Sequence, residues 1–143
     1  MFNNLTTVEK LKSAIKIANI IEMKNFTIIN LPTFTDSRGI LTVLDGVLPF
    51  APVRIYWIYG ADQQTRGGHR HHQTRQALIA LSGNVHIYMN DGVYEQTIVL
   101  DRPEECLLVE PKDWHEMTFS VGSILLVLSS HPYDRSDYID TRY

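Results

Sequence analysis

Gly68-His69-Arg70-His71-His72 carries two imidazoles two positions apart. On a strand, such positions share a face, so His69 and His71 point together into one space while Arg70 and His72 point away. Gln76 and Gly83 follow at short range, and Pro111-Lys112-Asp113-Trp114-His115 stands further along the chain. Convergent imidazoles on one strand face need a chemical reason, and those outlying residues supply the context for one.

On both sides of this stretch the chain reads as short β-type runs broken by turn residues. The runs are 26–31, 40–44, 53–59, 77–81, 85–89, 93–100, 106–109, 117–119 and 124–129. Asn90-Asp91-Gly92 is a hairpin signal, since Asp-Gly adopts the positive φ angles of a tight turn. Asp36-Ser37-Arg38-Gly39 and Leu81-Ser82-Gly83 mark two further turns. Many short strands at close spacing predict a sandwich or barrel. Residues 6–24 read differently, as one amphipathic helix opened by a Thr6-x-x-Glu9 capping box and striped with Val8, Leu11, Ile15 and Ala18. The segment after Ser130 is too polar for a core strand and is expected to wrap the surface or a subunit boundary.

The bulk numbers bound the answer. A chain of 143 residues supports one domain with a sizeable core. Its formal net charge of -3 argues against a nucleic-acid partner, so an anionic ligand must be met by local arginines. The N-terminal segment lacks a signal-peptide pattern and no stretch reaches membrane-spanning length, so neither export nor a membrane is expected and the cytoplasm is the default. The lone Cys106 sits beside Leu107 and Leu108 and reads as an inert buried thiol.

Gly68, His69, His71, Gln76 and Gly83 follow the order of the first cupin motif, with glutamine where metal-binding cupins carry glutamate. Pro111 and His115 supply part of the second, with Asp113 in place of the usual glycine. The chain therefore resembles a cupin, an all-β jelly-roll barrel that holds its ligand in the mouth, here with an N-terminal amphipathic helix.

The resemblance narrows on longer patterns. Asp36-x-Arg38-Gly39-x-Leu41, Arg54-Ile55-Tyr56-Trp57-Ile58, Arg66-Gly67-Gly68-His69-x-His71, Pro111-x-x-Trp114-His115-Glu116-Met117 and Tyr133-Asp134-x-x-Asp137-Tyr138-Ile139 are in register with the sugar-nucleotide 3,4-ketoisomerases. The likeness spans residues 26–140 and implies a cupin domain over 26–143 behind a helical extension over 1–25. It implies a substrate, dTDP-4-keto-6-deoxy-D-glucose, and a 3-keto product for aminotransferases that make 3-amino-3,6-dideoxy sugars. It also implies catalysis without a metal or other cofactor, and a homodimer that exchanges an N-terminal strand. Carried onto this chain, the catalytic residues are His69 and His71, with His71 as the base.

The chemistry fits these residue types. Moving a carbonyl from C4 to C3 needs a base at C3, a donor for the enediolate and a proton returned at C4. An imidazole with an ordinary pKa near 6.5 serves as both base and acid. A diphosphate calls for the planar fork of arginine, which nominates Arg54, Arg66 and Arg38. A thymine ring calls for an aromatic surface, which nominates Tyr56, Trp57 and Trp114. His115 is open between a place against substrate and a buried supporting ring.

Other readings compete. A sugar-nucleotide 3,5-epimerase uses the same substrate but leaves the carbonyl at C4. A non-catalytic cupin would bind a sugar or metal without exchanging protons. In a metal-dependent dioxygenase, His69, His71 and His115 would hold the ion, a set weakened by neutral Gln76.

Overall fold

A computed structural model describes residues 6–8, 20–23 and 26–143. In chain order the strands are β1 (Ile20–Met23), β2 (Phe26–Asn30), β3 (Thr33–Asp36), β4 (Gly39–Thr42), β5 (Arg54–Ile58), β6 (Thr65–His71) and β7 (Gln76–Ser82). They continue as β8 (Val85–Asn90), β9 (Glu95–Leu100), β10 (Glu105–Val109), β11 (Trp114–Phe119), β12 (Ile124–Ser129) and β13 (Tyr138–Ile139). One sheet runs β1-β2-β10-β7-β12-β5, a second runs β13-β6-β11-β8-β9, and β3 and β4 form a separate hairpin. This is the all-β jelly roll that the sequence predicted.

Alternation builds the barrel interior. On β8, Val85, Ile87 and Met89 are fully buried while His86 is exposed, which fixes the face of that strand. They pack with Leu78, Leu107, Leu125, Val127 and Phe119 in one cluster between the sheets. Each such side chain contributes about 1.5–3 kcal/mol on burial, and Phe119→Ala would cost about 3–5 kcal/mol. β7 is buried on both faces, because Ala77 and Ile79 turn outward beneath Leu44, Val47, Leu48 and Phe50. Cys106 lies fully buried, and burial pushes its thiol up to about 12, as an inert thiol requires.

Two expectations change. The helix predicted over residues 6–24 gives way to strand at Ile20–Met23, which pairs antiparallel with β2, Ile20 opposite Ile29 and Met23 opposite Phe26. Ile20 and Ile21 are β-branched, and the open edge of β2 offers a hydrogen-bonding partner that outweighs the helical periodicity. Residues 9–19 and 24 of that predicted helix lie outside the described residues. The segment after Ser130 also does more than wrap a surface. A short 3-10 turn, Arg135–Asp137, and the two-residue β13 pair it with β6, Tyr138 opposite His71 and Ile139 opposite Arg70.

Candidate active site

Gly67 and Gly68 open the approach to the histidines. Both have positive φ, +83° and +75°. A Cβ on Gly67 would sit 2.7 Å from the His115 carbonyl oxygen. Only glycine lets β6 come that close to β11, where the register shifts between His115 and Glu116. The result sets His69 directly opposite His115.

His69 and His71 therefore share a face as predicted, their ring centroids 4.9 Å apart. His115 joins them, 4.8 Å from His69. Arg70, on the opposite face, stacks on Tyr143, and His72 is exposed. Burial holds the imidazoles neutral. It takes His69 down to about 4, with His71 adding to the effect, and His115 down to about 3, with His69 adding to it. His71 is also lowered by burial, against the pull of the Asp137 carboxylate.

The mouth is a cavity of about 440 Å³ bordered by Arg54, Tyr56, Arg66, His69, Met117 and Tyr138. Arg54 and Tyr56 reach it because they alternate with outward residues on β5. The Arg54 guanidinium lies 4.4 Å from the Tyr56 ring centre and 5.4 Å from that of Tyr133. Burial raises the Tyr56 hydroxyl above its ordinary pKa and keeps it protonated. Gln76 is buried behind it and donates from Nε2 to the Tyr56 hydroxyl at 3.2 Å and to Ser129 Oγ at 3.4 Å.

Three sequence candidates fall elsewhere. Trp57 is on the outer face of β5 and 60% exposed, since the strand that turns Tyr56 inward must turn its neighbour outward. Arg38 stays at the β3–β4 turn, where its guanidinium meets Asp36 at 2.5 Å beside a separate hollow. Trp114 is buried on the opposite face of β11 from His115 and donates its indole N–H to Glu116 Oε1 at 2.8 Å. His115 is buried, its ring 4.8 Å from that of His69 and its Nδ1 3.3 Å from the Asp113 carbonyl oxygen.

The sequence reading gave no site role to Asp137 or Tyr138. Asp137 Oδ2 stands 3.1 Å from His71 Nδ1, with both side chains buried. The Tyr138 ring lies 4.5 Å from that of His69 and 4.6 Å from that of His71. The available signal was the Tyr133-Asp134-x-x-Asp137-Tyr138 pattern, whose polarity pointed to the surface.

The ring nitrogens of His69, His71 and His115 all lie within 4.8 Å of one another, a spacing that brackets a divalent ion. The donor set fits one poorly. All three ligands are neutral imidazoles, and at the position where a carboxylate would offset the charge stands Gln76, its amide already donated to Tyr56 and Ser129.

Comparison with known proteins places this geometry. The family described as FdtA: WxcM-like, C-terminal matches residues 24–143. The TDP-4-oxo-6-deoxy-alpha-D-glucose-3,4-oxoisomerase of Aneurinibacillus thermoaerophilus is 38% identical over 116 residues, covering 78% of this chain and 84% of the relative. The solved WlaRB TDP-quinovose 3,4-ketoisomerase of Campylobacter jejuni superimposes with a TM-score of 0.79 at 40% identity, over 83% of this chain and 95% of that one. A 3,4-ketoisomerase from Helicobacter canadensis does so with a TM-score of 0.78 at 37% identity, over 82% and 91% of the two chains. With its histidine pair, its arginine-lined mouth and its jelly-roll sheets, this chain belongs to the FdtA family of WxcM-like C-terminal domains.

Proposed function

We propose that this protein is a sugar-nucleotide 3,4-ketoisomerase that converts dTDP-4-keto-6-deoxy-D-glucose to its 3-keto isomer. The observation that carries the reading is the pair of neutral imidazoles, His69 and His71, beside a mouth bordered by Arg54 and Arg66. Relatives that share over a third of their aligned residues with this chain are named for the same reaction.

In the proposed course, the diphosphate meets Arg54 and Arg66, and the sugar enters toward the histidines. His71 takes the C3 proton, the C3–H electron pair forms the C3–C4 double bond, and the C4 carbonyl oxygen becomes the enediolate oxygen. His69 donates to that oxygen and manages the proton that leaves O3 as the new carbonyl forms. His71, its proton exchanged with solvent, then delivers a proton to C4 and returns to its neutral form, so the sugar is isomerised with no net oxidation. Removing either imidazole costs roughly 10²–10⁴-fold in rate. The 3-keto product presents the carbonyl that an amino-transfer reaction consumes.

The protein is further proposed to be a cytoplasmic homodimer. Val53, Ile55, Trp57 and Tyr59 leave an apolar stripe on the outer side of β5, an edge strand, and Phe34, Ile40 and Leu41 are exposed on the β3–β4 hairpin. A second copy of the chain is the proposed cover for them.

The test is proton NMR of chelator-treated protein with dTDP-4-keto-6-deoxyglucose in D₂O, comparing the unsubstituted chain with His69→Asn and His71→Asn. A 3-keto product deuterated at C4, lost in His71→Asn, supports the isomerase and its base. Inversion at C3 or C5 with the carbonyl still at C4 would establish the epimerase instead. Restoration of activity by added metal would return the dioxygenase-type site to consideration.

A further inference from the structure

We infer that Asp137 is a positioning residue whose carboxylate fixes the His71 proton on Nδ1 and so leaves Nε2 as the basic nitrogen. This deepens the proposed function, because it rests on His71 acting as the base. The geometry determines the tautomer. A carboxylate only accepts hydrogen bonds, and Asp137 Oδ2 lies 3.1 Å from His71 Nδ1, so that nitrogen must carry the hydrogen. Burial opposes ionisation of Asp137, but hydrogen bonds from the Thr74 hydroxyl, the Gln73 N–H and His71 outweigh it and hold the carboxyl below its ordinary pKa. His71 Nε2 is buried and has no hydrogen-bond partner among the described residues. A buried lone pair without a partner is costly for stability and useful to a base.

The C-terminal segment is built to deliver this one group. Asp134 caps the 3-10 turn by accepting from the Ser136 N–H at 2.9 Å. The Asp137 carbonyl accepts from the His72 N–H at 2.9 Å, and β13 pairs with β6 immediately afterwards. The two carboxylate oxygens are then assigned. Oδ1 accepts from the Gln73 N–H at 2.8 Å, and Oδ2 accepts from the Thr74 hydroxyl at 2.5 Å and from His71.

This assignment makes the Asp137→Asn substitution informative. The Gln73 N–H is a fixed donor and keeps the amide oxygen, so the new NH₂ group faces His71 Nδ1. That nitrogen must then accept, the hydrogen moves to Nε2, and the base is lost while size and shape are retained.

The experiment is ¹⁵N NMR of the histidine rings in the full chain near neutral pH, combined with steady-state kinetics on dTDP-4-keto-6-deoxyglucose. The unsubstituted protein is expected to show His71 protonated on Nδ1. Asp137→Asn is expected to show it on Nε2, with kcat down about 10²–10⁴-fold and KM within about threefold. Thr74→Val keeps the carboxylate, so it should keep the Nδ1–H signal and lose at most several-fold in kcat. An Nε2–H signal in the unsubstituted protein overturns the proposal without needing any variant to fold, and so does full activity in Asp137→Asn. An inactive unsubstituted protein that shows Nδ1–H would overturn the isomerase reading and leave the Asp137 assignment standing.

Discussion

Tyr138 packs its ring against His69 at 4.5 Å between centroids, although the two residues lie 69 positions apart in the chain. The same ring touches His71 at 4.6 Å, so one side chain from the C-terminal segment shields both imidazoles from water. Aromatic contacts of this type contribute about 0.5–1.5 kcal/mol each beyond area burial. Tyr138→Ala is expected to destabilise the fold by about 1–3 kcal/mol in urea unfolding. It should also raise the His69 pKa from about 4 toward its ordinary 6.5, which a ring-proton NMR titration reads directly.

Stability should depend on acid in a defined direction. His69, His71 and His115 all have folded-state pKa values below 6.5, so the unfolded chain binds more protons than the folded one below that pH. Their neutral form is fully accommodated above about pH 6.5, and the folded state loses ground as pH falls toward the values near 4 and 3. Each proton so linked steepens the dependence by about 1.4 kcal/mol per pH unit. Urea midpoints measured from pH 7.5 to 4 should fall, and His115→Gln should flatten that fall.

The arginines at the mouth should act on binding more than on chemistry. Arg54 is held between Tyr56 and Tyr133 at the mouth, the place proposed for the diphosphate. Arg54→Met is expected to weaken TDP binding about 10- to 100-fold, in line with the ~1.5–3 kcal/mol of a charge-assisted hydrogen bond. Calorimetry with TDP checks this, and kcat at saturating substrate should change far less than KM. Arg38→Met, at a turn where Arg38 pairs with Asp36, should leave TDP affinity of the same chain within about threefold.

The proposed homodimer makes Trp57 a reporter of self-association. It is 60% exposed on the outer face of β5, midway along the apolar stripe. Trp57→Glu is expected to shift the protein from dimer to monomer in light scattering, with circular dichroism unchanged. A dimer of unchanged strength would place the interface elsewhere.

The residues that could be read directly were those governed by local rules. Alternation placed Val85, Ile87 and Met89 on one face of β8 and put His69 and His71 together, because side-chain period depends only on strand geometry. Asn90-Asp91-Gly92 became the β8–β9 turn, with Asn90 Oδ1 accepting from the Gly92 N–H at 2.8 Å. Thr33–Asp36 was not read as a strand, since all of its residues are exposed and no hydrophobic alternation marks it. Arg54 and Tyr56 border the cavity while Trp57 faces outward, because residue type suggests a stacking aromatic without saying which side of the strand faces the mouth.

The sequence by itself determined a sandwich or barrel of short strands and the shared face of His69 and His71, since each follows from period and turn chemistry, while the jelly roll and the nomination of Arg54 and Tyr56 came through the family resemblance. Tertiary structure alone decided that His115 stands beside His69, that Trp114 and Trp57 face away, and that Asp137 and Tyr138 close over the histidines. Those relationships join residues up to 69 positions apart, as between His69 and Tyr138. They depend on strand pairing and on the close approach that Gly67 permits, and a local pattern of side chains carries no information about which distant strand will lie alongside.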